Sequence, residues 1–507
     1  MSTSVRSLRL LTSPIVAVLA LSLAASPAAQ PAPLSGFDDL VEQTMKDWRV
    51  PGLAIAVAKD GQIVFERGYG VRQLGKPATV DTHTLFAIGS TTKAMTAALV
   101  GMLVDDKALG WDDPVVKHLP WFQLKDSAVT RELTIRDLLT HRGGLGNADY
   151  LWYGQSNSTD EILKRVRLIE PSYSVRSSFI YQNVMYAAAG AVIEAAGRKP
   201  WAEMIRTRIF EPLGMRDTIA TAATLAAQSN VASPHDTVDG QVPVIENMSV
   251  DPVASAGAVW SSVADMAKWM QFLLDGGRAG GASGKPLLSA ATVAELFKPQ
   301  TIAPFEMYPT TRLVKPHWMT YGLGWFQQDY RGRAVDFHTG SIDGMVAIHG
   351  LIRDERLGVY VLANLDHAEL RHALMYTVFD RYDGGPDRGW SAEFLKLYES
   401  VRREADEARK KDEGNQISGT SPSLPLAEYV GTYRDPLHGD VDVTMANGAL
   451  RLRYGTGFVG SLTHWHFDTF RAKWTAVWRP PALVTFVLDT NGRPTTVELM
   501  GGRFTRP

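Results

Sequence analysis

Apolar and polar residues follow two different rhythms along the chain. Leu53-Ala-Ile-Ala-Val-Ala-Lys59 and Gln62-Ile-Val-Phe-Glu66 are apolar-rich runs on either side of Asp60-Gly61. An Asp-Gly pair between such runs predicts a β-hairpin, because both central residues of its tight turn need positive φ. The same texture returns at residues 322–326, 335–338, 345–352 and 358–363, with Arg353-Asp-Glu-Arg356 as the polar turn between the last two. These segments are expected to be neighbouring strands of one antiparallel sheet. Between them the period becomes helical. Ser262-Val-Ala-Asp265 has the form of a capping box, and Val263, Met266, Ala267, Met270 and Leu274 follow at helical spacing. Residues 187–196, closed by Gly197, form a second compact apolar helix. The expected class is α+β, with the ends of this region building a sheet and its middle a helical lobe.

From Glu404 to Pro425 the chain is charged, then rich in Gly, Ser and Pro, which is the composition of a linker. Beyond it the pattern is all β. Val441-Asp-Val-Thr, Leu450-Arg-Leu-Arg-Tyr454, Val484-Thr-Phe-Val-Leu488 and Thr496-Val-Glu-Leu499 alternate, with turns at Asn447-Gly448 and Asn491-Gly492. A small barrel or sandwich is expected. The chain thus divides into a leader at 1–29, a main domain at 35–385, a helix and linker at 386–425, and an all-β domain at 426–507.

The leader is read from Arg6 and Arg9, an apolar stretch at 10–25, and small residues at 25–30. That order is a secretory signal, cleaved near Ala29 or at Ser26. The stretch is shorter than the ~20 residues of a membrane span. A periplasmic or secreted protein without a span after signal removal is the expectation. A formal net charge of -2 offers no surface for a polyanion, so nucleic acid is not an expected partner. The absence of cysteine excludes disulfides, thiol nucleophiles and thiolate metal sites.

Three short patterns carry chemistry, and each occurs once: Ser90-Thr-Thr-Lys93, Tyr181-Gln-Asn183 and His338-Thr339-Gly340. If Ser90 opens a helix, Lys93 lies one turn on, within reach of the hydroxyl that needs a base. The helix start also offers free N–H groups to an oxyanion. Tyr181 is then a proton relay beside Lys93, with Asn183 donating to Lys93 or to a substrate carbonyl. Gly340 permits close approach of a substrate, and the Ser341 amide completes an oxyanion hole with the Ser90 amide. Each pattern has a plain alternative when taken singly: a capping serine, a buried tyrosine beside a turn, a structural histidine at a strand end.

Taken together and in this order, the three patterns resemble the serine β-lactamase and penicillin-binding-protein superfamily. The resemblance extends through Leu133-Thr-Ile-Arg-Asp-Leu-Leu-Thr-His-Arg-Gly-Gly-Leu145, Ile209-Phe-Glu-Pro-Leu-Gly-Met-Arg-Asp-Thr218, Ala256-Gly-Ala-Val-Trp-Ser-Ser-Val-Ala-Asp265 and Tyr321-Gly-Leu-Gly-Trp325. It covers residues 35–385 and is nearest the class C-like branch of esterases, D-aminopeptidases and carboxypeptidases. The tail, with Tyr429-Val-Gly-Thr-Tyr433, resembles the lipocalin-like domain that often follows such hydrolases. The resemblance implies a serine hydrolase that acylates Ser90, uses Lys93 and Tyr181 on the proton, lines its substrate site with Asn183, His338, Thr339, Gly340 and Ser341, and needs no cofactor. A small molecule or peptide is the implied substrate; oligomeric state is not legible.

Three departures bear on the substrate. His338 stands where β-lactamases carry a lysine for the β-lactam carboxylate, and an unperturbed imidazole is charged only below pH ~6.5. Lowering the pH is therefore expected to protonate His338 and favour β-lactams. Gln182 replaces a small residue and Gly143 a serine. An ester or peptide substrate is expected; the alternatives are a true β-lactamase and a slow penicillin-binding or peptidoglycan-sensing protein. His464-Trp-His466 puts two histidines on one strand face, but no third ligand is near and no metal site is expected.

Overall fold

The Asp60-Gly61 turn has φ of 52° and 80°, as a tight hairpin requires, and joins Gly52–Lys59 to Gln62–Gly70. A computed structural model describes residues 33–385 and 388–507, so the predicted leader at 1–29 lies outside the described residues. Gly52–Lys59 pairs on its other edge with Leu357–Ala363, which brings the two ends of the main domain together. The sheet then continues through Met345–Ile352, Arg333–Ile342, Phe326–Tyr330, Met319–Tyr321 and Thr301–Ile302, eight antiparallel strands in all.

Side-chain size alternates across the first strand. Ala54, Ala56 and Ala58 face the helical lobe, while Leu53, Ile55 and Val57 face a second core that includes Phe37 and Phe379. Alanines let the lobe helices approach closely, and the branched residues fill the wider space on the other face. Both faces are covered, which is why the strand reads as a continuous apolar run.

One predicted strand is not one. Residues 322–325 are a turn between Met319–Tyr321 and Phe326–Tyr330. Gly324 has φ of 86°, and a Cβ there would come within 2.9 Å of the Lys93 carbonyl oxygen and the Ala94 backbone. The turn lies on the first turn of the Thr92–Asp105 helix, a close approach that only glycine allows.

The helix Val263–Leu274 forms with Ser262 accepting the Asp265 N–H at 3.2 Å. Asp265 does not complete the box; its carboxylate instead accepts from the Asp217 and Thr218 amides at 2.8 and 3.0 Å. The second predicted helix is longer than its apolar run and spans Asn183–Gly197. The helix Trp390–Glu413 continues through the charged stretch assigned to the linker, with Lys410 and Lys411 in its last turn, where cations complement the helix dipole. The linker proper starts at Gly414.

The tail is a closed barrel of eight strands in sequence order, from Gly431–Asp435 to Gly502–Thr505. Its interior is filled, not hollow: Tyr429, Tyr433, Leu452, Phe470, Phe486 and Phe504 are buried in one cluster. The predicted Asn447-Gly448 turn has φ of 51° and 75°. Among the described residues no helix is long and apolar enough to cross a membrane.

Candidate functional site

Ser90 lies in the 3-10 turn Gly89–Thr91 that feeds the helix Thr92–Asp105. That helix is buried from Thr92 to Leu103, so Lys93 is wholly enclosed. Its Nζ donates to Asn183 Oδ1 at 2.8 Å and the Ala256 carbonyl at 2.9 Å, and lies 2.9 Å from Ser90 Oγ, whose hydroxyl can donate to it. None of these partners is charged. Burial pushes the Lys93 pKa well below the ordinary lysine value, against the opposing charge of Asp149, and thereby favours the neutral amine.

Tyr181 stands on the same amine, with Nζ 4.8 Å from its ring centre. Its hydroxyl is buried without a hydrogen-bond partner among the described residues. Burial raises its pKa well above the usual phenol value; the adjacent Ser90 hydroxyl pulls the other way but falls short of a full hydrogen bond. The tyrosine ring rests 4.3 Å from that of His141, whose Nδ1 accepts the Gln182 N–H at 3.0 Å. Asn183 opens its helix, accepts from Lys93 rather than donating to it, and gives its own Nδ2–H to Asp149 at 2.9 Å.

The strand Arg333–Ile342 passes the serine turn at backbone distance. A Cβ on Gly340 would lie 1.9 Å from the Ile88 carbonyl oxygen and 3.1 Å from the Ser90 nitrogen. A Cβ on Gly89, where φ is 52°, would lie 2.7 Å from the Ser341 nitrogen. Gly340 thus admits the neighbouring chain rather than a substrate, and its absent side chain is what brings the Ser90 and Ser341 amides to one place.

The buried Arg371 holds this strand from behind. Its Nη1 donates to the Gly340 carbonyl at 2.5 Å, the Ala347 carbonyl at 3.1 Å and Ser341 Oγ at 3.0 Å. Glu369 clamps the same guanidinium through two hydrogen bonds of 3.0 and 2.7 Å.

His338 is 1% exposed. Its Nδ1–H is committed to the Thr339 carbonyl at 2.7 Å, so its Nε2 accepts from the Tyr321 hydroxyl at 3.0 Å. Burial, followed by the nearby Lys93, lowers its pKa to about 3. The expectation that it becomes charged below pH ~6.5 is therefore overturned: the imidazole stays neutral far into acid because it is enclosed among Tyr321, Phe326 and Tyr181.

Ser90, Tyr181, Asn183, His338, Thr339 and Ser341 line one cavity of about 620 Å³. Lys93 lies beneath Ser90, and Gly340 backs the strand. Thr339 Oγ1 is 2.9 Å from the Tyr308 hydroxyl. Sequence reasoning missed Asp149, Ala256 and Arg371, and it missed Tyr454, Phe458 and Met500 of the barrel, which also line the cavity. The motif-like Asn147-Ala-Asp149 turn was the one available signal, since its asparagine and aspartate bond each other locally. His464 and His466 lie elsewhere, on the barrel; the strand pairing shifts between them, and they bond the Phe467 carbonyl and the Ile417 amide.

Comparison with known proteins bears on the family and the fold. The Beta-lactamase family model matches residues 37–380, and a domain of unknown function, DUF3471, matches residues 415–505. Unguisins hydrolase ungD of Aspergillus violaceofuscus is 29% identical over 520 residues, covering 94% of this chain and 90% of the relative. Protein flp of Staphylococcus aureus strain MW2 is 23% identical over 65% of this chain and 62% of its own length. In three dimensions the octameric penicillin-binding protein homologue of Pyrococcus abyssi superimposes with a TM-score of 0.62 at 20% identity, covering 93% of this chain and 99% of that one. SurE gives 0.56 at 22% identity, with 94% and 99% covered. With a family model spanning more than half of its length and the fold shared with these structures, the chain belongs to the Beta-lactamase family.

Proposed function

We propose that the protein is a serine hydrolase that cleaves an ester or amide through an acyl-enzyme on Ser90. The observation that carries this reading is the enclosed Lys93 amine, 2.9 Å from Ser90 Oγ and held by uncharged partners. A buried neutral lysine is a base, and a tyrosine whose pKa is raised is an acid, so burial assigns the two groups opposite halves of one proton transfer. Ser90 Oγ attacks the carbonyl carbon while its proton passes to Lys93. The oxyanion forms between the Ser90 and Ser341 amides. Tyr181 protonates the departing alcohol or amine and is reprotonated from Lys93. Water then attacks the ester on Ser90 and gives its proton to the same pair, which returns a proton to Ser90 Oγ as the C–O bond breaks and the acid leaves.

Esters and peptides suit this site better than β-lactams. The ring nitrogens of His338 are both spent within the protein, and the imidazole is neutral at pH 7. A charged partner contributes roughly 1.5–3 kcal/mol to a hydrogen bond against ~1 for a neutral one, so the missing lysine costs a β-lactam carboxylate about 2- to 30-fold. The hydrolase name of the ungD relative supports bond cleavage with turnover over a silent sensor. The basic, apolar and small order of residues 1–29 supports action outside the cytoplasm. Side-by-side kcat/KM values for p-nitrophenyl esters, D-amino-acid amides and nitrocefin test the reading. Preference for an ester or amide is expected, and preference for nitrocefin at pH 7 contradicts it.

A further inference from the structure

Three side chains of the cavity come from the barrel. Tyr454 ends the strand Ala449–Tyr454, Phe458 begins the strand Phe458–His466, and Met500 occupies the turn before Gly502–Thr505. Tyr454 and Phe458 are buried and stack at 6.0 Å. Met500, by contrast, is 52% exposed in a turn with φ of 49°. Packing within the barrel gives no reason for an apolar side chain at that turn.

The barrel is fixed against the main domain. The Thr456 and Gly457 amides donate to the Gly154 carbonyl at 2.9 and 2.8 Å. Arg479 lies over the rings of Tyr153 and Phe458 at 4.9 and 4.5 Å and faces Asp343 at 3.6 Å. A Cβ on Gly457 would come within 2.7 Å of the Gly154 Cα, and Gly154 has φ of 66°, so both positions favour glycine where the two domains meet. Asp343 follows Ser341 by two residues, which ties the barrel to the end of the strand that carries the oxyanion amide.

The carboxylates at the cavity are already engaged. Asp149 accepts from Asn183 and Trp152, Asp343 from Tyr153 and Trp478, and Asp366 from the Gly344 amide and His367. What remains toward the barrel side, apart from the Gln155 amide, is apolar and aromatic surface, with Tyr150, Trp152 and Ile342 completing it. From this we infer that the barrel forms the specificity wall of the site, where Tyr454, Phe458 and Met500 receive an alkyl or aryl segment of the substrate. The inference rests on the hydrolase reading for which bond is cut, but not for what binds.

The test uses full-length Ser90→Ala protein, which separates binding from turnover. Dissociation constants are measured by tryptophan fluorescence for two ester series, one lengthening the acyl chain from acetate to butyrate to hexanoate and one lengthening the alcohol likewise. Each added pair of buried methylenes is expected to tighten binding by about tenfold in at least one series. Met500→Glu and Met500→Lys, placed at an exposed turn and checked for an unchanged Tm, are expected to cut that gain to about threefold or less. A gain that both variants leave intact, or no gain in either series, overturns the wall. Phe458→Ala is a poorer probe because that ring also fills the barrel core. Hydrolysis of the same esters by protein with Ser90 intact reads the other proposal: length-dependent binding without turnover leaves the wall standing and sinks the Ser90 reading.

Discussion

Gly340→Ala is the perturbation whose effect the geometry defines best. The new methyl would sit 1.9 Å from the Ile88 carbonyl oxygen. A carbon–oxygen contact needs about 3.3 Å, so strand and serine turn must separate by roughly 1.4 Å. That movement draws the Ser341 amide away from the Ser90 amide, and one oxyanion donor is worth about 10²–10³ in kcat. Misplacement by about 1 Å elsewhere in a site costs about 10². A fall of about 10²–10³ in kcat/KM for p-nitrophenyl acetate, with a matching fall in fluorophosphonate labelling rate, is expected while KM changes little. Gly143→Ala serves as control, because a Cβ there meets only Met185 and Leu133 side chains at 3.7–3.9 Å. The reasoning is refuted if Gly340→Ala stays folded and keeps activity within about threefold of the control.

Three further outcomes follow. Lys93→Ala and Tyr181→Phe should each lower acylation by about 10²–10⁴, and the double variant little further, because they serve one proton transfer; multiplicative losses in stopped-flow acylation would assign them separate tasks. Activity should rise with pH through the depressed Lys93 pKa and stay high into alkali, where Tyr181 remains protonated; an alkaline limb near pH 10, absent in Tyr181→Phe, would contradict the burial argument. Acid should destabilise the fold through His338 and His349, both held at about 3 by burial against ~6.5 unfolded. Their stabilisation is complete above pH ~6.5 and is lost as pH falls toward 3, at up to about 3 kcal/mol per pH unit for the pair. Urea unfolding at pH 7, 5.5 and 4.5 measures this slope, and a flat profile would refute it.

Much of the candidate site's geometry was legible because its parts are local. Ser90 and Lys93 are one helical turn apart, Tyr181 and Asn183 flank one helix start, and His338 to Ser341 lie on one strand. Period and turn chemistry likewise gave the 52–70 hairpin, the return strands and the barrel turns. Contacts made across long chain separations left no such trace. Arg371 looks like an ordinary residue of an apolar helix, yet it fastens the Gly340 carbonyl from 31 positions away. Residues 322–325 alternate like a strand, and only the approach of the Lys93 turn to Gly324 explains why they bend. The state of His338 depends on enclosure by Tyr321 and Phe326, so its motif could name the residue but not its charge.

Intact-mass spectrometry of the full chain measures whether Ser90 is the nucleophile. Incubation with a fluorophosphonate should add one label per chain, and peptide mapping should place it on Ser90. Ser90→Ala, folded by its Tm, should gain no label under the same conditions. Labelling of that variant at the wild-type rate, or a label mapped to any other residue, would contradict the account.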